Sequence, residues 1–263
     1  MRVPGDAEAL RLLGVSFFYS FHLFPPPLPP LSLTLFSLFF RSLFSHPKPN
    51  PPNYNSHQSK SVSPEEFIPF VGTGEANFLS GVAKQRGISE PDIPKLKDLF
   101  FSEYLTALKS STGGEQIAAP GARALVAACR AAGLRTAVAS AADLVKVDAS
   151  LDAVGFVPRG DFFDAVVTAD AFERLKPAPD AFLAAAAAVG TDPRNCVVIE
   201  DAPAGVAAAR AAGMRVLGVC TTLTRQQMEA EGPDAVRRDT SEVTVEELLG
   251  LVDRTVVGGG VVA

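Results

Sequence analysis

The sequence predicts an α/β protein: a doubly wound parallel sheet carrying a small helical cap. Three observations support this. From residue 120 onward short apolar runs alternate with helical segments across short loops, the order that builds βαβ units. One of those runs, 196–199, is apolar and β-branched, as suits a strand buried on both faces of a parallel sheet. The stretch before it, from about residue 62 to 111, shows helical spacing only.

The N-terminal quarter, 1–61, is unlike the rest. No acid occurs between Leu10 and Pro64, while proline, phenylalanine and serine are frequent. It is expected to be non-globular. Its apolar run 31–40 is about half the length that spans a bilayer, and Arg41 ends it. Acid-poor and serine-rich, the segment resembles an organelle transit peptide, which would place the protein in the chloroplast. The alternative is that it is not functional protein sequence at all, and then the cytoplasm is the default location.

Globular patterning starts near Val62. Ser63-Pro64-Glu65-Glu66 carries the signals of a helix start: a serine cap, a proline in the first turn, and acids at the positive end of the dipole. Gly72 and Gly74 make a turn into a helix over 76–85. Helical spacing resumes over 91–108. These segments form a partial helical cap, 62–118. The α/β core follows over 119–254, with helices at 120–132, 143–153, 180–189, 203–212 and 242–252. Its strands are expected at Arg135–Ala139, Ala165–Val167, 196–199 and Arg215–Val219. Residues 255–263 read as a loose tail.

In an open α/β sheet, ligands bind beyond the carboxyl ends of the strands. Glu200 and Asp201 follow strand 196–199 there, two hard-oxygen carboxylates suited to Mg²⁺. Ser140 ends another strand, where its hydroxyl and the backbone N–H groups that follow, beginning with Ala141, are placed to hold a phosphate oxygen. Lys176, beside Pro177, adds a compact positive charge to neutralise charge developing on a phosphoryl group. Asp170 follows Ala165–Val167 and either caps a helix or lines the site. Each residue alone has a plainer reading: Ser140 and Asp201 as helix caps, Lys176 as a solvated surface lysine. Their joint order favours phosphate chemistry.

Composition excludes several classes. A formal net charge of −5 and the lack of a basic block argue against nucleic acid as a partner. The three cysteines, Cys129, Cys196 and Cys220, stand far apart in apolar runs, which suits reduced core residues and not a disulfide framework. All three histidines precede residue 58, so the core has no histidine base or metal ligand of its own. Membrane association is not expected for the core.

With those residues in place, the chain resembles the haloacid-dehalogenase-like (HAD) hydrolases, in the phosphoglucomutase-like subgroup with a helical cap. The second motif of that family, a strand ending in Ser or Thr, is matched by Ala137-Val138-Ala139-Ser140. The third, a lysine before proline, is matched by Leu175-Lys176-Pro177. The fourth, an acid pair after a strand, is matched by Val197-Val198-Ile199-Glu200-Asp201. More narrowly, Phe67-Ile68-Pro69-Phe70-Val71-Gly72-Thr73-Gly74-Glu75, Ala139-Ser140-Ala141-Ala142-Asp143 and Lys146-Val147-Asp148 are similar to a hydrolase domain found in plant chloroplasts. The resemblance implies a Rossmann-like core, Mg²⁺ as cofactor and a small phosphorylated metabolite as substrate. It also implies a catalytic role for Ser140 and Lys176, substrate contacts from Ser140, Ala141 and Lys176, and Glu200 and Asp201 as metal ligands.

One departure stands against that resemblance. The family's first motif is a strand followed by Asp-X-Asp, whose first aspartate attacks phosphorus and whose second shuttles the proton. No Asp-X-Asp occurs in this chain, and the Pro/Phe-rich segment stands in its place. The first core strand is therefore expected to be missing or replaced, the run 12–18 being apolar enough to fill its position without bringing a carboxylate. Two functions remain open: a phosphatase or phosphomutase with little or no turnover, and a non-catalytic phosphate-binding or regulatory module.

Overall fold

A computed structural model describes residues Ser16–Tyr19, 68–85, 87–110 and 118–257. Among them, six parallel strands form one sheet. In chain order these are β1 (Ser16–Tyr19), β2 (Arg135–Ala139), β3 (Ala165–Val167), β4 (Cys196–Glu200), β5 (Arg215–Val219) and β6 (Ala235–Arg237). Their spatial order is β3-β2-β1-β4-β5-β6. The helices are α1 (Glu75–Gln85), α2 (Ile93–Ser110), α3 (Ala122–Ala131), α4 (Leu144–Ala153), α5 (Asp180–Ala188), α6 (Pro203–Ala211), α7 (Arg225–Ala230) and α8 (Val245–Val257).

The strands alternate cleanly between two buried faces, as a sheet covered on both sides requires. Val138, Val197, Ile199, Leu217 and Val219 point to one face, under α3, α4 and α8. Ala137, Ala139, Cys196, Val198 and Val216 point to the other, under α5, α6 and α7. On this second face small residues from strands meet small residues from helices, such as Ala185, Ala186, Ala208 and Ala209. Backbones therefore approach closely there, and the long side chains Phe182 and Met228 fill what remains.

The centre of the sheet decides between the two expectations for the first core strand. Ser16 lies opposite both Arg135 and Cys196, and Tyr19 opposite both Val138 and Ile199, so β1 occupies the position between β2 and β4. The first core strand is replaced and not missing, and the segment 1–61, expected to be non-globular, contributes four residues to the sheet. The physical reason is that a parallel ladder is made by backbone groups; an apolar run with an extended backbone can complete it whatever chemistry its own side chains lack. Without β1, β2 and β4 would each present a row of unpaired N–H and C=O groups in the middle of the protein.

Smaller differences concern element ends. The helix expected at 242–252 begins at Val245 and runs to Val257, into the expected tail, because propagation adds one hydrogen bond per residue once its apolar stripe (Leu248, Leu251, Val252) is docked. Strand β6 and helix α7 were not anticipated at all. The helix start expected at 63–66 and the remaining tail residues 258–263 lie outside the described residues.

Helices α1 and α2 pack around Phe78, Leu79, Val82 and Leu96. This unit meets the core at α4. Lys146 of α4 reaches Glu75 at 3.3 Å and lies over the rings of Phe100 and Tyr104, at 5.2 and 5.1 Å. Tyr104 and Ser150 share a hydrogen bond of 2.8 Å, and burial pushes the Tyr104 hydroxyl up to about 12.

A chain lacking residues 1–19 is expected to lose cooperative thermal unfolding, measured by circular dichroism, because two central strands are left unpaired. A truncated chain melting at the parental temperature would show that β1 is dispensable.

Candidate functional site

Four sequence-marked residues meet at the carboxyl end of β2 and β4, on either side of β1. Lys176, in the loop before α5, is 1% exposed. Its Nζ donates to Glu200 Oε1 at 2.8 Å, the last residue of β4, and to the carbonyl of Ala139 at 3.2 Å, the last residue of β2. Because β2 and β4 are separated by β1, this one ammonium bridges two strands across a third. The ring of Phe182, one turn into α5, lies 4.4 Å from Nζ and adds a cation–π contact to the otherwise dry setting.

Glu200 is fully buried. Its second oxygen, Oε2, accepts the backbone N–H of Asp201 at 2.8 Å and of Ala202 at 3.0 Å. Ala202 is the N-cap of α6, so the carboxylate sits at the positive end of that helix. Room for it exists only because residue 205 is glycine: a Cβ there would fall 1.7 Å from Glu200 Oε1. Both oxygens of Glu200 thus have partners, which makes it the counter-ion of Lys176. The buried ammonium needs a full opposite charge beside it, and Glu200 supplies that charge.

Asp201, 7% exposed, is held differently: its Oδ2 accepts hydroxyl hydrogen bonds from Thr221 at 2.8 Å and Thr222 at 2.7 Å, both from the loop after β5. Ser140, 1% exposed, stands directly after the Ala139 carbonyl that Lys176 touches. Its hydroxyl accepts the N–H of Ala142 at 3.1 Å, a local turn that shapes the loop into α4. Ala141 is buried, and its carbonyl oxygen lies 3.1 Å from where a Cβ on Gly74 would stand. The same Cβ would lie 2.4 Å from Leu175 Cδ1, and φ at Gly74 is 91°, so glycine is required twice over. The Gly72-Thr73-Gly74 turn therefore lies directly on the residues preceding Lys176 and following Ser140. Asp170 takes the capping role: its carboxylate accepts the N–H of Leu144 at 2.8 Å.

Residues to which sequence reading gave no role are Glu75, Phe182, Gly205, Thr221 and Thr222. Thr221 and Thr222 follow strand β5 as Glu200 and Asp201 follow β4, so the strand-end rule could have marked them. Gly205 closes the stretch 197–205 that resembles the family's fourth motif, but nothing along the chain gives the reason for it, which is the Glu200 side chain packed against it.

The donor set tests what the site can hold. Among the described residues no group of three or more His, Cys, Asp or Glu is arranged to bind a metal. The carboxylates at the end of β4 are hard-oxygen groups of the kind that suits Mg²⁺, an ion commonly held by one or two carboxylates plus substrate phosphate and water. Thiol chemistry is not supported: burial pushes Cys129 up to about 12, and burial with the charge of Asp192 does the same for Cys196. Among the described residues no helix is long and apolar enough to cross a membrane.

Comparison with known proteins bears on family and fold. A family model for haloacid dehalogenase-like hydrolases matches residues 44–213. The chain is 47% identical over 188 residues to the chloroplastic protein SUPPRESSOR OF QUENCHING 1 of Arabidopsis thaliana, covering 72% of this chain but 17% of that protein's length. It is 35% identical over 159 residues to hexitol phosphatase A of Escherichia coli, covering 60% of this chain and 68% of that one. The crystal structure of β-phosphoglucomutase from Clostridium difficile superposes with a TM-score of 0.71 at 18% identity, over 92% of this chain and 98% of the other. That last likeness bears on fold.

Replacing Lys176 by Met is expected to destabilise the protein by about 3–5 kcal/mol in urea denaturation, since it strands a buried carboxylate. The double variant Lys176→Met with Glu200→Gln is expected to recover a substantial part of that loss. Equal stabilities for parent and single variant would show that the pair is not the keystone of the site.

Proposed function

Because this chain belongs to the haloacid dehalogenase-like hydrolases, in their phosphatase and phosphomutase class, we propose that it binds a small phosphorylated metabolite together with Mg²⁺ and turns it over weakly or not at all. The observation that carries the proposal is the buried Lys176, which bridges the ends of β2 and β4. Its ammonium provides fixed positive charge for phosphoryl oxygens, in a setting dry enough for that charge to count. Ser140 and the backbone of Ala141 set the other wall. Asp201 is the residue placed to hold Mg²⁺, which when bound would neutralise charge on the phosphoryl group. The turn at Gly72–Gly74 covers the same rim and limits access of water.

The attacking group is what the chain does not supply in the family's manner. Tyr19, the last residue of β1, is followed in sequence by Ser20, Phe21 and His22, and Asp-X-Asp occurs nowhere in the 263 residues. Loss of a nucleophile typically lowers rates on the order of 10⁴- to 10⁶-fold. A second reading, a phosphate-binding or regulatory module without turnover, rests on the same departure.

Purified protein with Mg²⁺ is expected to hydrolyse p-nitrophenyl phosphate no faster than background; turnover that disappears in Lys176→Ala or Asp201→Ala would overturn the claim of weak or absent catalysis. Mg²⁺ plus inorganic phosphate should raise the melting temperature, by about 2.7 kcal/mol of stabilisation when ligand is 100-fold above Kd. An unchanged melting temperature would count against the binding role in both readings.

The acid-poor segment 10–64 and the chloroplast location of one relative support a plastid address. Residues 1–61 fused to a fluorescent protein are expected to direct it into plastids, and fluorescence left in the cytosol would refute that.

A further inference from the structure

The loop that runs from Ser140 into α4 is pinned through its backbone N–H groups. That of Ser140 donates to the carbonyl of Val167 at 2.9 Å, and that of Ala142 to the Ser140 hydroxyl at 3.1 Å. The N–H of Asp143 donates to Glu75 Oε2 at 3.3 Å, and that of Leu144 to Asp170 Oδ2 at 2.8 Å. Three of these acceptors belong to the α/β core. Glu75 does not: it is the first residue of α1, in the unit formed by α1 and α2. Ala141 lies inside the pinned run, and its carbonyl oxygen is 3.1 Å from where a Cβ on Gly74, the residue before α1, would stand.

Asp143 stands at the N-terminal capping position of α4 with extended backbone, where an aspartate ordinarily accepts an N–H of the first turn. Its carboxylate makes no such bond. It pairs instead with Lys97 of α2 at 2.6 Å. Glu75 in turn meets Lys146, in the first turn of α4, at 3.3 Å. The two helices of the α1–α2 unit thus grip one turn of the core with opposite charges, an acid from α1 on a core lysine and a lysine from α2 on a core acid. The Glu75 side chain is 4% exposed and that of Lys146 15%, so salt screens this inner pair little. Pairs that merely docked two units could fall anywhere along their interface. These fall on the residue that ends the Ser140 loop and on the turn that follows it.

We propose that Glu75 and Lys97 are positioning residues: through Asp143 the α1–α2 unit sets the geometry of the Ser140–Asp143 loop, so that affinity for phosphate depends on this grip. The inference rests on the proposed phosphate reading of the site and adds to it two residues that need not touch the ligand. Coupling of this kind is reciprocal. If the grip raises affinity for phosphate, phosphate must tighten the grip by the same factor, typically about 5- to 150-fold. A purely structural contact carries no such relation, because it stabilises the free and the bound chain equally.

The test is a titration of the full chain with inorganic phosphate at fixed Mg²⁺, read as the apparent Kd from melting temperatures. Beside it, hydrogen exchange of the α1 and α2 amides is followed with and without phosphate. In the parent chain phosphate is expected to slow that exchange. The double variant Glu75→Gln with Lys97→Met is expected to raise the apparent Kd for phosphate at least about 5-fold and to abolish the slowing. Lys97→Arg, which keeps the charge, is expected to retain the parental Kd. An unchanged Kd in the double variant, or phosphate that still slows its α1 and α2 amides, would mean that the pairs only dock the two units, and would overturn the inference whatever the melting temperature. If the double variant fails to fold, Lys97→Met alone decides, its side chain being 28% exposed: a raised Kd supports the inference and an unaltered one overturns it. A parent chain with no response to phosphate would bring down the proposed function together with the inference, whereas a responsive parent whose variants keep its Kd overturns the inference alone.

Discussion

The ion pair between Lys176 and Glu200 is the constraint around which the rest of the core is arranged. Two opposite charges with no exposed surface are tolerable only if every remaining donor and acceptor is satisfied. The structure meets that condition with parts from four elements. Ala139 of β2 lends a carbonyl, Phe182 of α5 a ring face, and the two residues leading into α6 two N–H groups. Gly205 of α6 gives the carboxylate room, and β4 places it. The alanine-rich helices follow from the same demand. Large side chains on α5 or α6 would push them away from the sheet and leave the pair open to water.

The geometry also separates the persistence of a fold from that of its chemistry. Lys176 bridges β2 and β4, and its reach depends on the width of one intervening strand. Any strand in that slot keeps the two ends at the right separation, because interstrand spacing is a property of the backbone ladder. Ser16–Tyr19 does so with serine, two phenylalanines and tyrosine. The scaffold of the pocket is thus maintained by main-chain pairing, while the nucleophile of the family depends on side chains that this segment does not carry. The helical cap is tied down independently, through Glu75 and Lys146 and through the close approach of Gly74 to Ala141 and Leu175.

Much of this was legible in the residues. The apolar run at the start of β4, the serine closing β2 and the lysine before proline each lay where strand-end logic placed them, and the helical spacing of 91–108 lies within α2. What escaped notice has identifiable causes. Strand β6 has three residues, Ala-Val-Arg, too few to show a period, and is a strand only because β5 stands beside it. Helix α7 has six residues, and its Thr224–Gln227 capping box was the one local sign. The acid pair was visible as a pair, but its division of labour was not, since it depends on which oxygen meets an ammonium and which meets two hydroxyls.

By itself the amino-acid sequence determined the order of strands β2 to β5 and the helices between them, the strand ends that bear the acids and the serine, the lysine beside proline, and the absence of Asp-X-Asp. These are matters of periodicity and residue type along one chain. Only the tertiary structure decided that Ser16–Tyr19 fills the centre of the sheet, that Glu200 answers Lys176, and that Thr221 and Thr222 hold Asp201. Those partners lie 20 or more residues apart, and their pairing follows from the spacing of parallel strands and the exclusion of water.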